Sequence, residues 1–145
     1  MDYRQLKAVT VKDAFPLPRV DDCLAALSGS RWFSTLDLAS GYWQVAMDAG
    51  TQEKAEFVTS SGLYECTVMP LDLCDAPSTF ARLMKLVLKG LHWKICLIYL
   101  DDVIAMGRTF EEEFERLKEV FERLAKAGLK LHLVNTISIQ SIYLK

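Results

Sequence analysis

No stretch of this 145-residue chain is apolar for long enough to cross a bilayer. The longest apolar run, Ile95 to Leu100, falls far short of the roughly 20 residues that a spanning helix needs. The N-terminus, Met1-Asp2-Tyr3-Arg4, carries no apolar signal-peptide core. Histidine is scarce (His92 and His132), and the four cysteines, Cys23, Cys66, Cys74 and Cys96, form no Cys-x-x-Cys pair. A zinc site is therefore disfavoured. Cys96 sits inside an apolar run and reads as a buried free thiol, and scattered cysteines fit a reducing compartment. An excess of basic charge is also missing: 17 Lys and Arg against 19 Asp and Glu leave a net charge of -2. Nucleic-acid binding usually leaves a basic footprint. The charge counts mildly against it, unless the basic surfaces lie in other parts of a longer protein. These absences predict a soluble intracellular protein with no membrane partner.

What is present suits one domain or part of one. Hydrophobic residues make up 51% and charged residues 25%, enough to build a core and too ordered a balance for a disordered tail. Phe15-Pro16-Leu17-Pro18 reads as extended chain. Asp21 or Asp22 can cap a short helix to Leu27, with Gly29 ending it. Arg31 to Leu38 is rich in aromatic and β-favouring residues and reads as a strand. Ser40-Gly41 breaks it, and Tyr42 to Met47 continues as a helical turn or strand. Ala55–Thr59 and Leu63–Met69 flank Ser60-Ser61-Gly62 as a hairpin. Asp75 can cap a helix whose first turn holds Pro77, with Phe80, Leu83, Met84, Val87, Leu88 and Leu91 at helical spacing. Ile95 to Leu100 and Val103 to Met106 form a strand hairpin with Asp101-Asp102 at its tip. Thr109 with Glu112 forms a capping box for a final helix striped by Phe110, Phe114, Leu117, Phe121 and Leu124. Glu111-Glu112-Glu113 reads as its solvated, dipole-favoured start. Leu129 to Leu133 alternates like a half-buried strand. This order predicts an α+β fold with helices packed on one face of a sheet.

The chemistry concentrates in acids at strand ends. Burying adjacent carboxylates costs several kcal/mol each unless a cation neutralises them, yet Asp101 and Asp102 directly follow a buried strand. A third acid, Asp37, ends another aromatic-rich strand. Adjacent strands ending in these acids would gather three carboxylates around one point. Oxygen ligands of this kind suit Mg²⁺, and such a site suits in-line phosphoryl transfer by two metals. The ordinary alternative is an Asp-Asp turn, since aspartate tolerates turn geometry.

Tyr99-Leu100-Asp101-Asp102 resembles the Tyr-x-Asp-Asp signature of reverse transcriptases. Phe33 to Gln44, with Asp37-Leu38-Ala39-Ser40-Gly41-Tyr42 at its centre, resembles the gypsy-type block that carries the first catalytic aspartate. Asp2-Tyr3-Arg4-Gln5-Leu6 and Asp13 to Pro18 resemble the preceding fingers-to-palm segment, and Met69-Pro70 through Phe80 the block that contacts template and nucleotide. The likeness runs in order from residue 2 to about 131. It implies the reverse transcriptase domain of a gypsy-type LTR retrotransposon Pol polyprotein, as a fragment. The implied fold is a polymerase palm with a ferredoxin-like β-α-β-β-α-β core and a partial fingers segment: 1–30 fingers-to-palm, 31–133 palm, 134–145 a divergent end, without thumb, connection or RNase H. The implied reaction is RNA-directed DNA synthesis from dNTPs onto a primer on an RNA or DNA template. Two Mg²⁺ ions (or Mn²⁺) would be held by Asp37, Asp101, Asp102 and the Leu38 backbone carbonyl. Leu38, Ala39, Tyr42 and Leu71 would shape the nucleotide pocket, with Tyr42 as the steric gate against a ribose 2′-hydroxyl. Tyr99 and Pro77 would shape the template and primer groove. The remainder of the Pol polyprotein would be the protein partner, in the cytoplasm or in a virus-like particle.

The chain also departs from the pattern. The fingers lysine and arginine that would bind the triphosphate precede this segment. The family's Phe-Gly-Leu-Cys-Asn-Ala-Pro reads Leu71-Asp72-Leu73-Cys74-Asp75-Ala76-Pro77 here. After Lys130-Leu131, the expected Lys-Pro-Ser-Lys-Cys reads His132-Leu133-Val134-Asn135-Thr136, and Lys145 follows Tyr143-Leu144 where a primer-grip glycine is expected. These changes predict an impaired polymerase. The competing expectations are a catalytically inactive palm relic with a structural or nucleic-acid-binding role, and an unrelated ferredoxin-like binding module.

Overall fold

A computed structural model describes residues 3–16, 18–132 and 140–141, the last two by backbone only. Expectations for Leu133 and most of the segment 134–145 lie outside the described residues. Two short helices come first, α1 (Arg4–Val9) and α2 (Val20–Leu27). Arg19 takes the N-cap position of α2, and Asp21 and Asp22 lie in its first turn. There they face the positive end of the helix dipole without acting as caps. β1 (Trp32–Asp37) follows, then a 3₁₀ turn at Gly41–Gln44 and a one-turn helix α3 (Ala49–Gln52). The expected hairpin forms as β2 (Phe57–Thr59) and β3 (Gly62–Tyr64), with the Phe57 and Tyr64 rings stacked. α4 (Ala76–Val87), β4 (Cys96–Tyr99), β5 (Asp102–Gly107), α5 (Phe110–Lys126) and β6 (Gln140–Ser141) complete the order.

The main sheet runs β4-β5-β1-β6, and every pairing in it is antiparallel. β1 and β4 are thus parallel to one another with β5 between them, joined through α4. That is the split β-α-β arrangement of the expected α+β palm. The alternating segment at 129–133 was expected as a full strand. Among the described residues of that segment, only Leu131 forms a bridge, opposite Leu38. The reason lies in β1, which stops at Asp37 and turns away through Ser40 in the left-handed region, φ 50°.

One face of the sheet makes the core. Leu36, Leu38, Cys96, Ile98, Val103 and Ala105 meet Phe80, Met84 and Leu88 of α4 and its C-terminal extension, and Leu117, Val120 and Leu124 of α5. Gly41 is buried because α4 comes so close: a Cβ there would stand 2.9 Å from Cζ of Phe80. Asp75 does not cap α4 through its side chain. Its Oδ1 instead accepts the Asp13 backbone N–H, and Arg82 pairs with the Asp13 carboxylate, so the segment before α2 is strapped onto α4.

α5 is rotated from the expected stripe. Phe110 and Phe114 are exposed, and the buried row is Glu113, Leu117, Val120 and Leu124. Gly107 causes the rotation, since a Cβ on it would stand 2.6 Å from the Glu113 backbone nitrogen. The first turn of the helix therefore lies flat on the end of β5. The N-cap holds, with Thr109 Oγ1 accepting the Glu112 N–H. The Glu112 carboxylate accepts from Arg108 N–H and pairs with Arg116. Glu113, expected in solvent, is fully buried, and neither of its oxygens finds a hydrogen-bond partner among the described residues. An orphaned buried acceptor of this kind costs stability. Glu113→Met, which fills similar volume, should raise the unfolding free energy by about 1–3 kcal/mol. Urea melts of the two proteins measure it, and a loss of stability would mean that the carboxylate is satisfied in solution.

Candidate active site

β-hairpin geometry brings the acids together. Tyr99 pairs with Asp102 across β4 and β5, and Asp102 pairs with Asp37 across β5 and β1. The three residues form one row across three strands, immediately beyond the core row of Ile98, Val103 and Leu36. Directly opposed residues point to the same face and stand ~4.5–5.5 Å apart at Cβ. Because side chains alternate along a strand, Asp37, Asp102 and Tyr99 point away from the helix-covered core. On that same face Thr35 and Asp102 are exposed and Asp37 is half-buried, so this end of the sheet is an open floor.

Between Tyr99 and Asp102 the chain reverses in two residues. Leu100 adopts φ 56°, the sign that a II′ hairpin turn demands at its first central position and that glycine ordinarily supplies. A leucine held there costs about 1–3 kcal/mol. The buried strand and paired register on either side over-determine it. The turn presents Asp101 in the open beside Asp102.

The electrostatics report the closeness of these groups. The Asp102 carboxyl is pushed above the ordinary range by partial burial first, then by the charges of Asp101 and Asp37. The Tyr42 hydroxyl is also pushed up, by burial and then by Asp101. Asp101 thus looks toward Tyr42, and Asp37 toward Asp102. No cation is among the causes of either shift. Among the described residues, no three His, Cys, Asp or Glu side chains converge tightly enough to form a finished ion cage. The donors fit a hard divalent cation in chemistry: they are all oxygen, mutually repelling and open on one side. They stand as a pair across the strands and a third acid around the turn.

The other candidates lie around this row. Leu38 is buried, and its bridge to Leu131 is made by Ala39 N–H to Lys130 O and His132 N–H to Asp37 O. Leu38 is therefore in a non-hydrogen-bonded pair, and its own carbonyl is not used there. Tyr42 lies on the 3₁₀ turn with its ring tilted against Phe80 at 5.3 Å. Pro77 is in the first turn of α4. Leu71 is exposed in the preceding loop, with Asp72 exposed beside it. The Asp72 charge is felt at Tyr3, whose hydroxyl is pushed to about 12, chiefly by burial and Cys66. Trp43 is exposed. A cavity of about 310 Å³ opens between α1 and the 73–76 loop, lined by Leu6, Lys7, Met69 and Leu73, and contains none of the three acids.

Sequence reasoning gave no role to Gln44. Its side chain bonds to Ala39 and to Lys130, 86 positions away, a contact that no local spacing signals.

A raised carboxyl pKa in the fold means that stability is lost as pH rises from the ordinary carboxyl value through the raised one. Asp102→Asn should therefore be more stable than the parent at pH 7, and the difference should shrink as pH falls below the carboxyl range. Urea midpoints across pH 3.5–7 (roughly the window in which carboxyls titrate) check this. A difference that grows on acidification would contradict the assigned repulsion.

Residues 1–134 match the family described as reverse transcriptase (RNA-dependent DNA polymerase). The chain is 42% identical over 133 residues to the retrovirus-related Pol polyprotein from transposon 297 of Drosophila melanogaster, covering 92% of this chain and 13% of that one. It is 34% identical to the Pol polyprotein from transposon gypsy of the same organism, covering 90% of this chain and 13% of that one. An RNA-directed DNA polymerase homolog of Oenothera berteroana is 40% identical, covering 84% of this chain and 92% of that one. Among solved structures, the foamy viral protease-reverse transcriptase in complex with RNA/DNA hybrid superposes with a TM-score of 0.83 at 23% identity, over 93% of this chain and 18% of that one. The chain spans about an eighth of the length of the Drosophila Pol polyproteins it matches. The fold is that of a polymerase palm, and the chain belongs to the reverse transcriptase family, with its relatives among gypsy-type retrotransposon Pol polyproteins.

Proposed function

We propose that this chain is the catalytic palm of an RNA-directed DNA polymerase, in which Asp37, Asp101 and Asp102 carry nucleotidyl transfer from a dNTP to a primer 3′-hydroxyl. The observation that supports this most is the row Asp37–Asp102 with Asp101 at the hairpin tip, three carboxylates in electrostatic reach with no cation among the causes of the shift at Asp102. Divalent ions bound there, two Mg²⁺ or Mn²⁺ in its place, supply Lewis-acid stabilisation of the attacking and leaving oxygens. Asp37, Asp101 and Asp102 would hold them, and the Leu38 backbone carbonyl would add a further oxygen. The Tyr42 ring, fixed by Phe80, stands where a ribose 2′-hydroxyl would enter and excludes it. Ala39 and Leu71 wall the nucleotide, and Tyr99 and Pro77 border the template and primer. Template, primer, dNTPs and the rest of the Pol polyprotein are the partners. No helix among the described residues is long and apolar enough to cross a membrane. The place of work follows the polyprotein, in the cytoplasm or a virus-like particle.

Asp72 is the feature that we hold to impair this copy. It sets a carboxylate in the loop where a triphosphate approaches, and two unit charges about 6 Å apart repel by roughly 3 kcal/mol at an effective dielectric near 20. A folded but inactive palm is the second reading, and this departure favours it.

Primer extension on an RNA template with dNTPs and Mg²⁺ tests the proposal, using a chain that carries this segment with fingers and thumb. Magnesium-dependent DNA synthesis is expected. Asp101→Asn should reduce it by about a hundredfold or more, and Tyr42→Ala should admit ribonucleotides. Synthesis that is undiminished in Asp101→Asn would rule out the assigned acids, and no synthesis by the parent would leave the inactive reading.

A further inference from the structure

β1 ends at Asp37, but the residues after it still need order, because Leu38, Ala39 and Tyr42 wall the proposed nucleotide pocket. Their backbone has left the sheet, and Ser40 sits in the left-handed region. One side chain takes over where the ladder stops. The Gln44 amide donates from Nε2 to the Ala39 carbonyl at 2.7 Å and to the Lys130 carbonyl at 2.8 Å. Its Oε1 accepts the Lys130 N–H at 2.6 Å. Ala39 N–H in turn donates to the same Lys130 carbonyl at 3.1 Å. The Gln44 amide thus meets Lys130 as a strand residue would, donor to carbonyl and acceptor to N–H, while its second N–H ties in Ala39. It stands on the same 3₁₀ turn as Tyr42 and two residues beyond it.

We propose that Gln44 is a positioning residue for the nucleotide pocket: its amide substitutes for the missing strand pairing and locks the Leu38–Tyr42 loop against the segment that follows α5. This rests on the polymerase reading for its consequence, but the clamp itself does not. Every bonded atom of the amide matters, because a carboxylate would turn an oxygen toward two carbonyl oxygens and lose both donors. Gln44→Glu is nearly isosteric, so it separates hydrogen bonding from space filling. The residue touches no reacting atom; it acts through Ala39 and Tyr42.

Two measurements on the full chain test this. The first is amide hydrogen exchange by NMR at Ala39 and Lys130 in the parent, Gln44→Ala and Gln44→Glu. Both variants should exchange at least about fivefold faster at Ala39, and Gln44→Ala also at Lys130, as follows from loss of a hydrogen bond worth ~1 kcal/mol or more. Core amides such as Ile98 and Val103 should be unmoved. The second is binding of dTTP and of ribothymidine triphosphate with Mg²⁺, followed by tryptophan fluorescence. Both variants should lose most of the preference for dTTP over its ribose counterpart, about tenfold, because a misplaced ring no longer meets the 2′-hydroxyl. A role in filling space alone predicts that Gln44→Glu behaves as the parent in both. Unchanged exchange at Ala39 and Lys130 overturns the clamp, whatever the nucleotide result. Faster exchange with unchanged dTTP preference overturns the positioning role. A parent that binds neither nucleotide counts against the polymerase reading of this chain, and the clamp is then decided by exchange alone. Global unfolding of Gln44→Ala would appear as loss of protection at Ile98 and Val103, and Gln44→Glu then decides the case.

Discussion

Repulsion among three carboxylates is the constraint around which this end of the molecule is organised. Asp37 and Asp102 are opposed across two strands, and Asp101 follows around a two-residue turn. Nothing local favours that arrangement: partial burial and the charges of Asp101 and Asp37 raise the proton affinity of Asp102, and Leu100 holds a backbone conformation that suits glycine. Packing elsewhere offsets the cost. The row just before the acids, Ile98, Val103 and Leu36, is buried almost completely, and Phe80, Met84 and Leu88 seal it from below. A side chain lost from that row would let the register slip, and a slip of one residue would turn the acids to the wrong face.

The same logic explains why α4 and α5 lie where they do. Gly41 and Gly107 are the two places where backbone must come closest to a neighbour, Phe80 in one case and the first turn of α5 in the other. The first lets the 3₁₀ turn carry Tyr42 up to Phe80. The second brings α5 flat onto β5 and buries Glu113 without a partner. The helices are thus placed for the sheet, and one uncomfortable carboxylate is the by-product.

Much of this was legible in the sequence, because the strong signals were local. The apolar run before Asp101-Asp102, the capping threonine at Thr109 and the spacing through Phe80, Met84 and Leu88 each fix an element, and the ordered motif blocks fixed the fold and family. Spacing alone could not say that Asp37 neighbours Asp102, since that depends on β5 lying between β1 and β4. The α5 stripe was misjudged because phenylalanines at helical spacing outweigh a glutamate on any hydrophobicity count, while the facing surface at Gly107 is a property of another element. Gln44 was invisible for the same reason: its partner lies 86 residues on. The role of the acids in holding metal, and the domain limits, rest on resemblance.

The central claim is that the acids at this row are a cation site, and binding of a cation there is directly measurable. A ligand that binds only the folded state raises stability in proportion to its occupancy. The decisive measurement is the melting temperature of this chain with and without millimolar Mg²⁺, beside the Asp101→Asn/Asp102→Asn variant at matched ionic strength. The account predicts a clear rise for the parent and little or none for the variant. An equal rise in both, or none in the parent, would contradict it.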